Sequence, residues 1–249
     1  MTLTEWHYDF NIKIDKVDSL SKRNFTPAEK DWIFNEAIGL FVKQRYGTNN
    51  SKKAGFESIQ KRTDDLKTLQ IKSPSAQQPG VVPVRHQGDV YEFRISDFTY
   101  PYWFLTRLTG EAGSGECVKT ITIRQVQHDD LSIALEDEFY KPNFTWGEAL
   151  AVEARSDETS DKKGSIYVYT DNFEIRKIYP EYIKKPNKVW IGTYNSLDGQ
   201  YTVGQPIVEC DLPEHTHSEI VDLAVAECSR IIENPNFAQL KQQKLLTNE

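Results

Sequence analysis

The pattern of apolar residues predicts two helices near the start of the chain. Thr26, Pro27 and Glu29 are typical of a helix start, because Thr26 can cap the first turn and Glu29 can complete a capping box. Two apolar rows at helical spacing follow: Ile33, Ala37, Leu40 and Phe41 in one, and Phe34, Ile38 and Val42 in the other. This stripe fits an ordinary two-helix core element, but one partner helix cannot cover all of it.

A second helix is predicted to begin near Gly55, and the predicted helical pair spans residues 24–73. Its apolar face is formed by Phe56, Ile59, Thr63, Leu66 and Leu69. The polar segment Lys72–Gly80 contains two prolines, so we expect it to be a linker and a domain boundary. Residues 1–23 alternate between apolar and polar positions, which fits a strand or an extended arm equally well.

After the linker, the apolar period changes from that of a helix to that of strands. Strands are predicted at 90–95, 102–108, 117–126, 149–154, 165–170 and 173–179, with a turn at Gly110–Gly115 and a short helix at 129–135. A third helix is predicted from His217 to Pro235, apolar over more than half its circumference.

These elements predict an α+β fold in which helices from both ends of the chain pack with a central antiparallel β-rich region. The predicted organisation is an arm or strand at 1–23, the helical pair at 24–73 with the helix at 213–235, a β-rich domain at 81–212, and a C-terminal helix and tail at 213–249.

Composition and charge narrow the functional classes. The chain has 249 residues, enough for a sizeable core, and its net charge of −7 argues against a basic, sequence-reading nucleic-acid binder. The first 73 residues are mildly basic and the acidic excess lies after them.

Three distant cysteines do not form a disulfide framework, and no apolar run suits a signal peptide or membrane span. We therefore expect reduced thiols and assembly in the cytoplasm.

The search for a chemical site identifies no strong candidate. The glycine-rich segment Gly110–Glu116 lacks the Lys-Ser/Thr pair of a phosphate-binding loop. Cys210, His215 and His217 are zinc-binding residue types, but their spacing is unlike that of a structural zinc site. The consecutive carboxylates at 136–138 point in different directions on a helix, unlike a glycosidase pair. We expect no catalytic residue, metal or cofactor, and therefore no enzyme.

A basic segment with aromatic flanks, Tyr182–Trp190, has two interpretations. Its lysines, Lys184, Lys185 and Lys188, could contact phosphates or the carboxylates of a neighbouring molecule. Alternatively, lysine and proline here protect an edge strand from pairing with another chain.

The order of five segments carries a resemblance to a known family. They are Glu29–Ala37, Phe41–Tyr46, Gly55–Leu66, Tyr182–Pro186 and His217–Val225. Together they resemble a virion structural protein of crAss-like tailed bacteriophages, a head-to-tail connector that forms a ring in the neck below the portal. Such proteins are similar to the adaptors of other tailed phages, whose helical part docks on the portal. Residues 81–173 contribute little to the resemblance.

The resemblance implies a homo-oligomeric ring, dodecameric to match the portal, located at the head–tail junction of the virion. Its partners would be other copies of the chain, the portal protein, neighbouring neck or tail rings, and genomic DNA that passes without sequence-specific binding. The acidic excess suits a channel in which DNA must slide. The residues expected at a subunit or portal interface are Trp32, Phe34, Phe41, Arg45, Lys61, Arg62, Lys184, Lys185 and Lys188.

Two alternatives stay open at this point. The ring could lie further from the portal, as a stopper or a connector on the tail side. In a different class, a β-rich carbohydrate-binding or hydrolytic module would use the aromatic side chains of Tyr100, Tyr102, Trp103 and Phe104. That function requires these rings to be exposed as a platform, whereas alternating strand residues are more often core.

Overall fold

The chain divides into a helical unit and a β unit. The computed structural model describes residues 1–15, 25–47, 60–75, 78–86, 88–154, 164–194, 201–202 and 207–231. The helical unit is formed by Met1–Leu69 and Pro186–Glu249, and the β unit by Gln70–Lys185. The fold is α+β, as the sequence predicts.

The helices are α1 (Leu3–Asp15), α2 (Pro27–Tyr46), α3 (Gln60–Leu66), α4 (Leu131–Glu136) and α5 (His217–Ile231). The strands are β1 (Gln70–Ile71), β2 (Val84–Arg85), β3 (Val90–Arg94), β4 (Tyr102–Ser114), β5 (Cys117–Gln125), β6 (Glu148–Ala154), β7 (Ser165–Tyr169), β8 (Glu174–Lys184), β9 (Thr193–Tyr194) and β10 (Tyr201–Thr202). The predicted start of the second helix near Gly55 and the tail at 236–249 lie outside the described residues.

Residues 3–15 form helix α1, so the prediction of a strand or arm at 1–23 is wrong over this range. Leu3, Trp6 and Phe10 recur every three to four residues and are buried, whereas Tyr8 is exposed. The alternating pattern includes Tyr8 and misses Leu3, which is why period two misidentified the helix.

Helix α2 begins as predicted, because Thr26 and Glu29 form both halves of a capping box with Pro27 in the first turn. Both apolar rows of α2 are needed for its own core. The ring of Phe34 makes edge contacts with Trp6 at 5.5 Å and with Phe10 at 5.3 Å, both from α1. Helix α5 also packs against α2 and α1, so helices of the same chain cover the wide stripe except at Leu40, which is 37% exposed.

A buried ion cluster ties three helices of this unit together. Arg45 of α2 donates from Nε to Asp65 Oδ2 of α3 at 2.8 Å and from Nη2 to Glu219 Oε1 of α5 at 2.6 Å. His215 Nε2 lies 2.9 Å from Asp65 Oδ1. Arg45 and Asp65 are almost fully buried and have little contact with water. Each charge is therefore stabilised mainly by the opposite charge of the other.

The β unit is built on one eight-stranded sheet with the order β1-β8-β4-β5-β6-β7-β3-β2. Neighbouring strands are antiparallel except β5 and β6, which are parallel and joined by the segment containing α4. Val81 exchanges two hydrogen bonds of 2.8 Å with Ile178 of β8, while β2 pairs with β3. Residues 81–85 therefore join the two sides of the curled sheet.

The predicted strands are present, but three predicted boundaries are wrong. The strand predicted at 173–179 continues to Lys184 as β8. Strand β4 continues through the predicted turn at Gly110–Gly115, and the chain turns only after Ser114. Gly110 permits close approach of β8, since a Cβ on it would lie 3.0 Å from the backbone oxygen of Lys177. Residues 186–212 belong to the helical unit, so the predicted β-rich domain ends about 27 residues too late.

The predicted linker at 72–80 is part of the β unit rather than its boundary. The Gln78 side chain is buried, and its Oε1 accepts hydrogen bonds from the Thr99 backbone at 3.0 Å and from the Tyr182 hydroxyl at 3.2 Å. Tyr182 stacks on Phe98 in the core of this unit. The polar composition of the segment therefore reflects a buried hydrogen-bond network.

Candidate subunit interface

The three aromatic residues predicted for a subunit contact have different positions. Phe34 and Phe41 are fully buried in the helical unit, so their assignment to an interface is wrong: the apolar stripe faces α1 and α5. Trp32 has 58% of its side chain exposed on α2. An exposed tryptophan is the residue type most enriched at energetically important interface positions.

The charged residues predicted for the interface also differ in their exposure. Arg45 and Arg62 are buried within the helical unit, which contradicts their assignment to a subunit or portal interface. Lys61, in contrast, is exposed. The sequence could not show which of these residues are buried. An arginine on an exposed helix face and an arginine in a buried ion cluster can have the same neighbours in sequence.

The predicted basic segment, Tyr182–Trp190, includes the end of the β unit at Lys185 and the residues of the helical unit that follow it. Lys184 is half-buried at the end of β8, with Nζ 5.6 Å from the centre of the Tyr100 ring. Lys185 is exposed, and its backbone N–H donates to Pro101 O at 2.8 Å. Lys188 is exposed in the helical unit. Their predicted contact with carboxylates of another subunit remains a prediction.

A second exposed tryptophan lies on a backbone segment fixed to α2. The side chain of Asn35 pairs with Val189, accepting from its N–H at 2.8 Å and donating to its carbonyl at 3.1 Å. Asp31 Oδ2 accepts from the N–H of Ile191 at 3.0 Å. Trp190 is therefore held between two anchor points, opposite the stretch of α2 that carries Trp32.

A third segment lies beside Trp190. Val208 forms an antiparallel bridge with Trp190 through two backbone hydrogen bonds, of 3.1 and 2.8 Å. Val208 and the preceding Ile207 are exposed, as is 37% of Trp190. We call the four residues Trp32, Trp190, Ile207 and Val208 the tryptophan surface.

The tryptophan surface is built on fixed backbone. Asp31 is almost fully buried, and its second carboxylate oxygen lies 2.9 Å from His7 Nε2 of α1. Exposed apolar groups that are already ordered lose little conformational entropy on binding. The arrangement therefore suits protein–protein contact. The exposed charges close to it in sequence are the carboxylates of Glu29, Glu36 and Glu209 and the ammonium of Lys188.

Sequence reasoning found Trp32 but missed Trp190, Ile207 and Val208. Trp190 was grouped with the lysines, and Ile207 and Val208 carry no periodic signal. Asn35 and Asp31 were the available sign that another segment packs here. Polar residues inside an apolar helix face commonly form hydrogen bonds with backbone groups.

The remaining chemical candidates do not converge on a site. His217 is buried, with Nδ1 3.0 Å from Met1 O and Nε2 3.0 Å from Leu212 O. Burial, reinforced by the nearby carboxylates of Asp211 and Glu209, raises the pKa of the Cys210 thiol to about 11. Within the described part of the chain, no group of three His, Cys, Asp or Glu side chains is placed to hold a metal.

Comparison of the chain with models of protein families and with curated proteins found no match. Among the described residues, no helix has the length and apolar character needed to cross a membrane.

Proposed function

We propose that the protein is a non-enzymatic structural subunit of a ring in the neck of a tailed bacteriophage, where it connects the portal to the tail. The observation that carries this proposal is the tryptophan surface: two exposed tryptophans, Trp32 on helix α2 and Trp190 between two residues whose backbone N–H groups bond to α2. Large apolar side chains that are exposed yet ordered are typical of a surface covered by another protein.

The resemblance carried by the five segments supports the same function. In a homo-oligomeric ring, the tryptophan surface would be covered by a neighbouring copy of the chain. The net charge of −7 supports a lumen through which DNA passes without being retained. A position further toward the tail would use the same surface.

The carbohydrate-binding alternative has weaker support. Tyr100, Tyr102, Trp103 and Phe104 are all half-buried rather than exposed. The Tyr102 ring packs against Phe98, and its hydroxyl donates to Glu153 Oε2 at 3.1 Å. These contacts occupy the ring and the hydroxyl that Tyr102 would need to bind a sugar.

The proposal is tested by the oligomeric state of the purified full chain. Native mass spectrometry and negative-stain microscopy should detect closed rings, and the resemblance implies twelve subunits. Trp32→Asp/Trp190→Asp should prevent ring formation, whereas the matched variant Trp32→Phe/Trp190→Phe should retain it, because it keeps apolar anchors. Circular dichroism should show that both variants fold.

Two results would contradict the proposal. The first is a wild-type protein that remains monomeric at every accessible concentration. The second is an antibody against the chain that binds intact virions elsewhere than at the head–tail junction.

A further inference from the structure

The β unit carries an exposed apolar surface that the proposed function does not yet use. Phe139 is 73% exposed, Ile133 68%, Tyr140 55% and Trp146 53%. The rings of Phe139 and Trp146 are almost parallel, at 11°, with their centres 6.5 Å apart. We call these four residues the aromatic surface. Large apolar side chains this exposed within one short stretch of chain are typical of a surface that another protein segment covers.

Hydrogen bonds and a cation–π contact hold the aromatic surface in place. Asn143 Oδ1 accepts from the N–H groups of Thr145 at 2.8 Å and Trp146 at 3.3 Å, which fixes the turn that carries Trp146. The guanidinium of Arg124 lies 5.2 Å from the centre of the Tyr140 ring, and its Nη2 donates to Tyr140 O at 3.4 Å. The aromatic surface is therefore preorganised for binding.

The aromatic surface lies in an acidic part of the chain. Residues 129–146 contain one lysine, Lys141, and five carboxylates, a net charge of −4. The five carboxylates belong to Asp129, Asp130, Glu136, Asp137 and Glu138. All but Asp137 are exposed, whereas Lys141 is half-buried. The ammonium of Lys119 also lies here, and it donates to the backbone carbonyl of Thr145 at 2.7 Å. An occupant of the aromatic surface therefore meets an excess of negative charge.

This excess opposes acidic occupants. Two copies of the aromatic surface in a symmetric contact would bring like carboxylates together. The tryptophan surface has the same disadvantage, because Glu29, Glu36 and Glu209 flank it against Lys188 alone. DNA and RNA phosphates are also repelled. The aromatic surface instead favours a segment that supplies apolar side chains and positive charge, since an ammonium group is also attracted to the face of an exposed aromatic ring.

The sequence that follows α5 contains a segment with this chemistry. Residues 234–248 contain two lysines, Lys241 and Lys244, and neither Asp nor Glu, so their net charge is +2. The nearest carboxylates, Glu233 and Glu249, lie at the two ends of this stretch. Its large apolar residues are Phe237, Leu240, Leu245 and Leu246. We call residues 234–248 the tail segment, which lies outside the described residues.

Two other basic stretches outside the described residues, 16–24 and 48–59, fit the requirement less well. Each contains a carboxylate, Asp18 in the first and Glu57 in the second. Each also joins two helices of the helical unit, α1 to α2 and α2 to α3. The tail segment is joined to the described chain at one end only. In extended conformation residues 232–249 span up to about 60 Å, which is long enough to reach another copy.

We propose that the aromatic surface binds the tail segment of the next copy of this chain. The inference rests on the proposed function, since a cyclic ring joins two different surfaces head to tail. Phe237 and the leucines of the tail segment would cover the exposed rings, and its two lysines would face the carboxylates. This contact adds to the one at the tryptophan surface, and it links the helical unit of one copy to the β unit of the next.

A synthetic peptide with the sequence of residues 234–248 tests this pairing without requiring a ring. The receptor is the full chain carrying Phe237→Asp/Leu240→Asp, whose own tail segment is disabled, and the readout is the fluorescence anisotropy of the labelled peptide. The peptide should bind, and adding Phe139→Asp/Trp146→Asp to the receptor should raise its dissociation constant at least about 30-fold. The matched control Val118→Asp, at another exposed apolar position of the β unit, should leave it unchanged.

Two further measurements test the charges and the copy that supplies the tail segment. A peptide with Lys241→Glu/Lys244→Glu should bind more weakly, and its binding should depend less on salt. In assembled rings, a photoreactive phenylalanine analogue at position 237 should crosslink to residues 133–146. When isotopically labelled and unlabelled chains are mixed before assembly, these crosslinks should join one chain of each kind.

The outcomes separate this inference from the proposed function. A peptide that does not bind, or that binds equally well after Phe139→Asp/Trp146→Asp, would overturn the inference and leave the proposed ring intact. Crosslinks confined to single chains would also overturn it, because the tail segment would then cover the aromatic surface of its own chain. A wild-type chain that forms no oligomer would overturn the proposed function, and with it the assignment to a neighbouring copy.

Discussion

Asn35 and Val189 form a reciprocal pair of hydrogen bonds, although 154 positions separate them in the chain. The side-chain amide of Asn35 in α2 thereby pairs with the backbone N–H and carbonyl of Val189, as a neighbouring strand would. The pair positions Trp190, and this position is the basis of the tryptophan surface.

Replacing Asn35 with alanine should destabilise the helical unit and weaken ring assembly. The change leaves the N–H and carbonyl of buried Val189 without their partner, at a cost of about 1–3 kcal/mol. Urea denaturation should give this loss in the free energy of unfolding. Glu36→Ala, at the exposed neighbouring position, should change it by less than about 0.5 kcal/mol. Equal effects of the two changes would contradict the assigned role of Asn35.

Replacing Arg45 with alanine should destabilise the isolated subunit, not only the assembly. Asp65 would be left as a buried carboxylate without its main cation, which typically costs about 3–5 kcal/mol. Thermal unfolding of the monomeric double variant Trp32→Asp/Trp190→Asp, with and without Arg45→Ala, separates stability from assembly. Lys43→Ala provides an exposed control on α2. An unchanged melting temperature would restore Arg45 as an interface candidate.

The cysteines should react with thiol reagents at very different rates. Cys117 is exposed, whereas the Cys210 thiol has a pKa of about 11, so only about one thousandth of it is thiolate at pH 8. Labelling of the folded protein should show a fast phase that Cys117→Ser removes. The Cys210 rate should rise about tenfold per pH unit up to its pKa. Rapid modification of Cys210 at pH 8 would contradict its burial.

Duplex DNA should bind the ring weakly at physiological salt. Three lysines at 184, 185 and 188 could release roughly three counterions, which gives a log–log salt slope near −2.7 at most. Replacing all three with glutamate should leave DNA affinity low while weakening assembly, if they contact carboxylates of a neighbour. The measurement is a salt titration of fluorescent duplex with wild type and triple variant. A micromolar complex that the triple variant abolishes would place these lysines against DNA.

The sequence by itself determined the class of fold and most of its elements. The capping box at Thr26 and Glu29 is a local signal, and it placed the start of α2 correctly. Period-two strands and the long apolar helix at His217 were likewise visible, because burial of one face imposes a repeat on the residues. The local pattern gave the wrong element for residues 3–15. Their apolar positions fit both a period of two and the period of a helix, and the structure has a helix there.

Only the tertiary structure decided which residues are surface and which are core. Trp32, Phe34 and Phe41 are equally apolar in sequence, but α1 and α5 cover two of them and leave Trp32 exposed. The helical unit also includes residues 186–212, which local pattern assigned to the β-rich domain. The physical reason is that burial depends on contacts between segments far apart in the chain, such as Asn35 with Val189, and no local period encodes them.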